Sequence, residues 1–126
     1  MTLRTLKLAL PWPPSLNRIW RAVNSRILLS AEARSFHKRV NNVLVGLPVD
    51  PITGWVSFTM DLHPPHKLDV RGYDAANREK ITCDALTKQR IWRDDAQIDE
   101  LHVYRRGHLP DHPNGLAVVT ITEIST

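Results

Sequence analysis

"WVSFTMDLHPPH", residues 55–66, is the stretch from which the fold can be read outward. Val56, Phe58, Met60 and Leu62 alternate with Ser57, Thr59, Asp61 and His63, the period of two expected of a strand with one buried face. Pro64 and Pro65 end it, because proline lacks the backbone donor a ladder needs. Downstream comes a polar loop, His66 to Tyr73, containing Gly72. Asp74 then caps a predicted helix that runs to about Lys88. "IDELHVYRR" (98–106) reads as a strand from its β-branched and aromatic content, "PDHPNG" (110–115) as a turn, and "LAVVTITEI" (116–124) as a well patterned last strand. Upstream, "LRTLKLALP" (3–11) is a first strand and "PWPPSLNRIW" (11–20) a stiff extended loop. "SRILLS" (25–30) is a short strand. Ser30 opens a helix whose Ala33, Phe36, Val40, Val43 and Leu44 form one apolar stripe before Gly46 stops it. The order β, β, α, β, α, β, β predicts a single α+β domain over residues 1–126, a mixed β-sheet with two main helices packed on one face.

The 126 residues are enough to bury a core without disulfide or metal staples. Cys83 is the only cysteine, which excludes an intrachain disulfide and zinc clusters of several cysteines. "HPPH" (63–66) lacks neighbouring soft ligands for zinc. No apolar run is long enough to cross a bilayer or serve as a signal peptide, so a soluble, cytoplasmic protein with no membrane partner is expected. There is no Gly-rich phosphate loop and no Ser-His-Asp signature. Seventeen Lys and Arg against thirteen Asp and Glu leave a net charge of +4. Arg18, Arg21, Arg26, Arg34, Lys38 and Arg39 crowd the first third, whereas acids concentrate between Asp69 and Glu100. Cations that attract phosphates, around acids that can hold a divalent ion, is a pattern suited to a nuclease.

Mg2+ takes oxygen ligands, with one or two carboxylates from the protein and the rest from water and phosphate. Asp74 at the start of the second helix and Asp94-Asp95 beyond its end supply acids from two elements, provided the chain folds back along the helix. Lys80, six residues after Asp74, points about 120° away around an ideal helix, but its long stem can still reach a phosphate near the acids. Each of these residues also has an ordinary use, as cap, turn or surface charge.

"LPWPPSLNRIWR" (10–21), "DAAN" (74–77) followed by "REK" and "DALTK" (84–88), "IWRDDAQID" (91–99) and the terminal "LAVVTITE" occur in this order along nearly the whole chain. Together they resemble the RusA family of Holliday-junction resolvases, small phage and prophage endonucleases. The resemblance implies a homodimer that binds four-way junction DNA and cuts two strands symmetrically with Mg2+, for which Mn2+ can substitute. The first acid of the family's Asp-x-Asp-Asn motif falls on Asp74 and its asparagine on Asn77. The family's essential lysine falls on Lys80 and its later essential aspartate on Asp95, with Asp94 matching the acidic neighbour. Asp74, Asp94 and Asp95 are thus the expected metal ligands, with Lys80 catalytic.

The motif's second acid falls on Ala76, which has no oxygen to offer. Losing one of three carboxylates weakens metal binding and misplaces the attacking water. Two explanations stay open: an acid exchanged deliberately to trap an inactive protein, or a natural sequence that uses Asp69 or Asp94 instead. Lys67, Arg71 and Arg78 flank the acids and are the first choices for phosphate contacts, with Asn77, Arg18 and Arg21 next. The rival to a resolvase is a non-catalytic protein that binds four-way DNA. A third possibility, a small basic fold with only a structural role, predicts no binding to such DNA at low salt.

Overall fold

The computed structural model describes every residue except 1, 2, 16, 18, 48, 125 and 126. Its strands and helices follow the order β1 (Thr5–Leu10), β2 (Trp20–Val23), β3 (Arg26–Leu29), α1 (Ala31–Leu44), β4 (Val56–His63), α2 (Glu79–Lys88), β5 (Ile98–Arg105) and β6 (Leu116–Glu123). Four strands form one sheet in the order β1-β6-β4-β5. β6 runs antiparallel to both β1 and β4, and β5 runs parallel to β4, so the sheet is mixed. A parallel neighbour needs a crossover. The chain from Pro64 to Gln97, with α2 in it, provides that crossover and carries the acids.

The alternation in 56–63 is realised residue by residue: Val56, Phe58, Met60 and Leu62 are buried, and the residues between them are half-buried. Ala117, Val119 and Ile121 of β6 share the buried face. Both helices cover it. α1 contributes Ala33, Phe36, Val40 and Leu44, and α2 contributes Ile81, Cys83, Ala85 and Leu86. The fold is α+β with a mixed sheet and two main helices on one face, as the sequence predicts. Ser30 caps α1, its side chain accepting from the Ala33 N–H at 3.1 Å, and Gly46 takes φ +82° just beyond the helix end.

Two local expectations are corrected. The segment expected to stay an extended loop through Trp20 instead becomes a strand at Trp20, and β2 pairs with β3 as a separate two-stranded hairpin. Asn24 and Ser25, at φ 50° and 64°, make the two-residue turn that joins them. Asp74 does not cap α2. A single 3-10 turn, Ala76–Arg78, precedes the helix, which begins at Glu79 with no side-chain cap. The Asp74 carboxylate is already engaged by other side chains.

Candidate functional site

Trp92 anchors the loop that returns from α2. It is 1% exposed, its indole N–H donates to Thr87 Oγ1 at 2.7 Å, and its ring meets Phe58 edge-on at 5.9 Å. Five residues on, Gln97 clamps the same loop from both sides. Its Oε1 accepts from the backbone N–H groups of Arg93 (2.8 Å) and Asp94 (3.0 Å). Its Nε2 donates to the carbonyls of Ile52 (2.9 Å) and Gly54 (2.8 Å). Asp94 completes the arrangement by capping the 3-10 turn Asp95–Gln97, accepting from Ala96 N–H at 3.0 Å. That bond is the main reason the Asp94 carboxyl is held below its usual range. Between these fixed points the chain presents Asp95.

Asp95 comes back to the first turn of α2. Lys80 Nζ lies 3.4 Å from Asp95 Oδ2 and 3.2 Å from Asp84 Oδ1, so one ammonium is shared by two carboxylates. The Asp84 carboxylate, then that of Asp95, raises the Lys80 pKa, and the group stays charged at neutral pH. The fold-back along the helix that spacing alone left open is therefore made.

Asp74 is held from three sides. Asn77 Nδ2 donates to its Oδ2 at 2.7 Å, Ser15 Oγ donates to the same oxygen at 3.2 Å, and Arg78 Nη2 stands 3.6 Å from Oδ1. The Asn77 bond, with the Ser15 bond and the Arg78 charge behind it, pulls the carboxyl below the usual aspartate range. Arg78 is itself buried. Its Nη1 donates to Pro13 O at 2.6 Å, and its guanidinium lies over the rings of Trp12 (4.9 Å) and Tyr73 (5.4 Å). Arg78, expected among the phosphate contacts, thus faces the proline loop and the acid rather than solvent.

Lys67, Arg71 and Arg21 are exposed, and Arg18 lies outside the described residues. Ala76 is exposed at the start of the 3-10 turn, one residue from Asn77. Asp69 ends up in a tight turn closed by Gly72 N–H to Asp69 O at 3.0 Å. Among the described residues no three or more His, Cys, Asp or Glu side chains cluster in a way that could hold a metal ion. Neither Asp69 nor Asp94 therefore completes a trio with Asp74 and Asp95. The donor chemistry of those two acids still suits Mg2+, which takes hard oxygens and as few as one or two carboxylates.

Asp74 also lines an open cavity of about 980 Å³ between the proline loop, α1 and the Pro65–Leu68 turn. Sequence reasoning missed Ser15, Asp84 and the Trp12–Arg78–Tyr73 stack. Asp84 was visible as the i+4 partner of Lys80. Ser15 and Trp12 reach Asp74 and Arg78 across more than fifty residues of chain, which no local pattern signals.

Comparison with known proteins assigns the chain to a class of DNA-cutting enzymes: the family model described as "Endodeoxyribonuclease RusA" matches residues 11–121. The chain belongs to the RusA family. It is 35% identical over 123 residues to the crossover junction endodeoxyribonuclease of Enterobacteria phage 82, covering 97% of this chain and 98% of the relative. Relatives of the same name from Shigella sonnei (strain Ss046) and Escherichia coli (strain K12) are each 34% identical over the same shares of the two chains.

Proposed function

We propose that the chain is a single RusA-type endonuclease domain, residues 1–126, that acts as a homodimer on four-way junction DNA with Mg2+, or Mn2+ in its place. The observation that carries this reading is the convergence of Lys80 and Asp95 at the start of α2, a few residues from Asp74, in a chain whose relatives bear the name crossover junction endodeoxyribonuclease.

Asp74 and Asp95 would hold the ion, with Asp94 the second acid of its pair. When bound, it would polarise the phosphodiester and help form hydroxide. The chain's own residues do the rest. Asn77 and Ser15 keep Asp74 ionised and fix its orientation. Lys80, a compact cation in the first turn of α2, neutralises charge that grows on the non-bridging phosphate oxygens. Lys67, Arg71 and Arg21, joined by Arg18, bind phosphates, so sequence reading is weak and salt dependence steep. A junction in its open form has two-fold symmetry, and two copies of this site on a two-fold dimer would face two equivalent strands.

Ala76 favours a second reading, a binder of four-way DNA that cuts slowly or not at all. With only two carboxylates from the protein, the ion and its water are less well fixed.

The test is cleavage of a four-way junction by this chain and by Ala76→Asp, across a titration of Mg2+ and of Mn2+, with binding measured separately. Faster cutting by Ala76→Asp identifies a site weakened by one missing oxygen. Equal rates sink the idea that this site is disabled. Binding without cutting by either protein at any metal concentration supports the pure binder, and no binding at low salt removes both readings.

A further inference from the structure

The cavity that Asp74 lines extends well beyond the acids. At about 980 Å³ it is at the upper end of the range for pockets that enclose a small organic ligand. It runs along one stripe of α1, past Ala31, Glu32, Ser35 and Arg39, and its opposite wall is the proline loop and the Pro65–Leu68 turn. We infer that it takes one unpaired nucleobase of the DNA strand that passes Asp74; the inference rests on the DNA-directed reading above.

Three features of the walls match that chemistry. Pro14 and the uncovered part of the half-buried Trp12 offer apolar surface against which a base can pack. Asn17 and Asn114 bring amides, which can both donate to and accept from the edge of a base. Arg39 on α1 and Lys67 on the facing turn are exposed cations on opposite sides of the opening, placed for the phosphates before and after that nucleotide. The space is a cavity of about 980 Å³ bounded by α1, the proline loop and the Pro65–Leu68 turn, and a base that enters it must leave its partner. That costs least where pairing and stacking are already interrupted, as at the exchange point of a four-way junction.

The test is equilibrium binding of the whole chain, without divalent metal, to a four-way junction and to a duplex with one bulged nucleotide. Each is compared with a copy carrying an abasic site, scanned across the exchange point in the junction and placed at the bulge in the duplex. Ser35→Trp, on an exposed turn of α1, projects an indole into the cavity and obstructs it; Asn41→Trp, on the same helix outside it, is the control. Removing the base should weaken binding roughly fivefold or more in the parent chain and in Asn41→Trp. The penalty should vanish in Ser35→Trp. No abasic penalty on either DNA, or a penalty that survives in Ser35→Trp, overturns the inference. Equal binding of intact junction and plain duplex would count against the junction reading alone, because the bulged pair still decides the pocket.

Discussion

The guanidinium of Arg78 lies 4.9 Å from the centre of the Trp12 ring, and through that contact the proline loop is fastened to the acid at the start of the crossover. Arg78 donates to Pro13 O on one side and faces Asp74 on the other. Arg78→Met keeps much of the apolar stem but leaves the Pro13 carbonyl without this donor and removes the charge. A loss of about 2 kcal/mol of stability is expected, most of it the unmet carbonyl. Thermal unfolding followed by circular dichroism measures it. Arg78→Lys should recover only part, since an ammonium lacks the planar fork that serves ring, carbonyl and carboxylate together. Full recovery by lysine would show that charge alone matters.

Lys80 is shared between Asp84 and Asp95. Lys80→Ala in the Ala76→Asp background should lower the cleavage rate by about 10²-fold while leaving most junction affinity in place. Its effect on stability should stay below about 1 kcal/mol, because both ion pairs are largely exposed. Single-turnover cleavage beside a gel-shift titration separates the two. Unchanged turnover would refute the role given to this lysine.

The state of Asp74 sets a pH limit. Its carboxyl is held below the ordinary range in the folded chain, chiefly by Asn77, so its charged form adds stability that is present above the unfolded pKa of about 3.9 and lost as pH falls through the lower, folded value. Asn77→Ala removes the largest cause and should move the acid limb of cleavage in Ala76→Asp upward in pH. A pH–rate profile that does not move would mean that Asp74 is not the group that titrates.

Lys67 and Arg71 are exposed, and Lys67 lines the same cavity as Asp74. If each neutralises one phosphate, removing either should flatten the plot of log affinity against log salt by about 0.9, and the double variant by about twice that. Binding should fall about equally for all junction sequences. An unaltered slope would return these side chains to the solvated surface.

Legibility followed the reach of the pattern. β4 and α1 could be read directly because their periods matched the face they bury. β2 was missed because its burial is slight, and because Asn24-Ser25 makes its hairpin turn without the glycine that usually marks one. The cap assigned to Asp74 was a fair local choice, but Asn77 and Ser15 hold the carboxylate instead. Arg78 looked like surface charge from its neighbours in sequence. Only the packing of Trp12 and Tyr73 around it put it inside.

The sequence by itself carried the order of strands and helices apart from β2, the resemblance to the family, and the residue types of the candidate site, including Ala76, which has no side-chain oxygen. These depend on residue type and short-range spacing, which the chain carries before it folds. Tertiary structure alone decided that Lys80 meets Asp95, that Ser15 bonds Asp74 and that Arg78 is buried. Those contacts join segments brought together by the parallel crossover and by the docking of the proline loop. Their partners are chosen by three-dimensional packing, for which no local period exists.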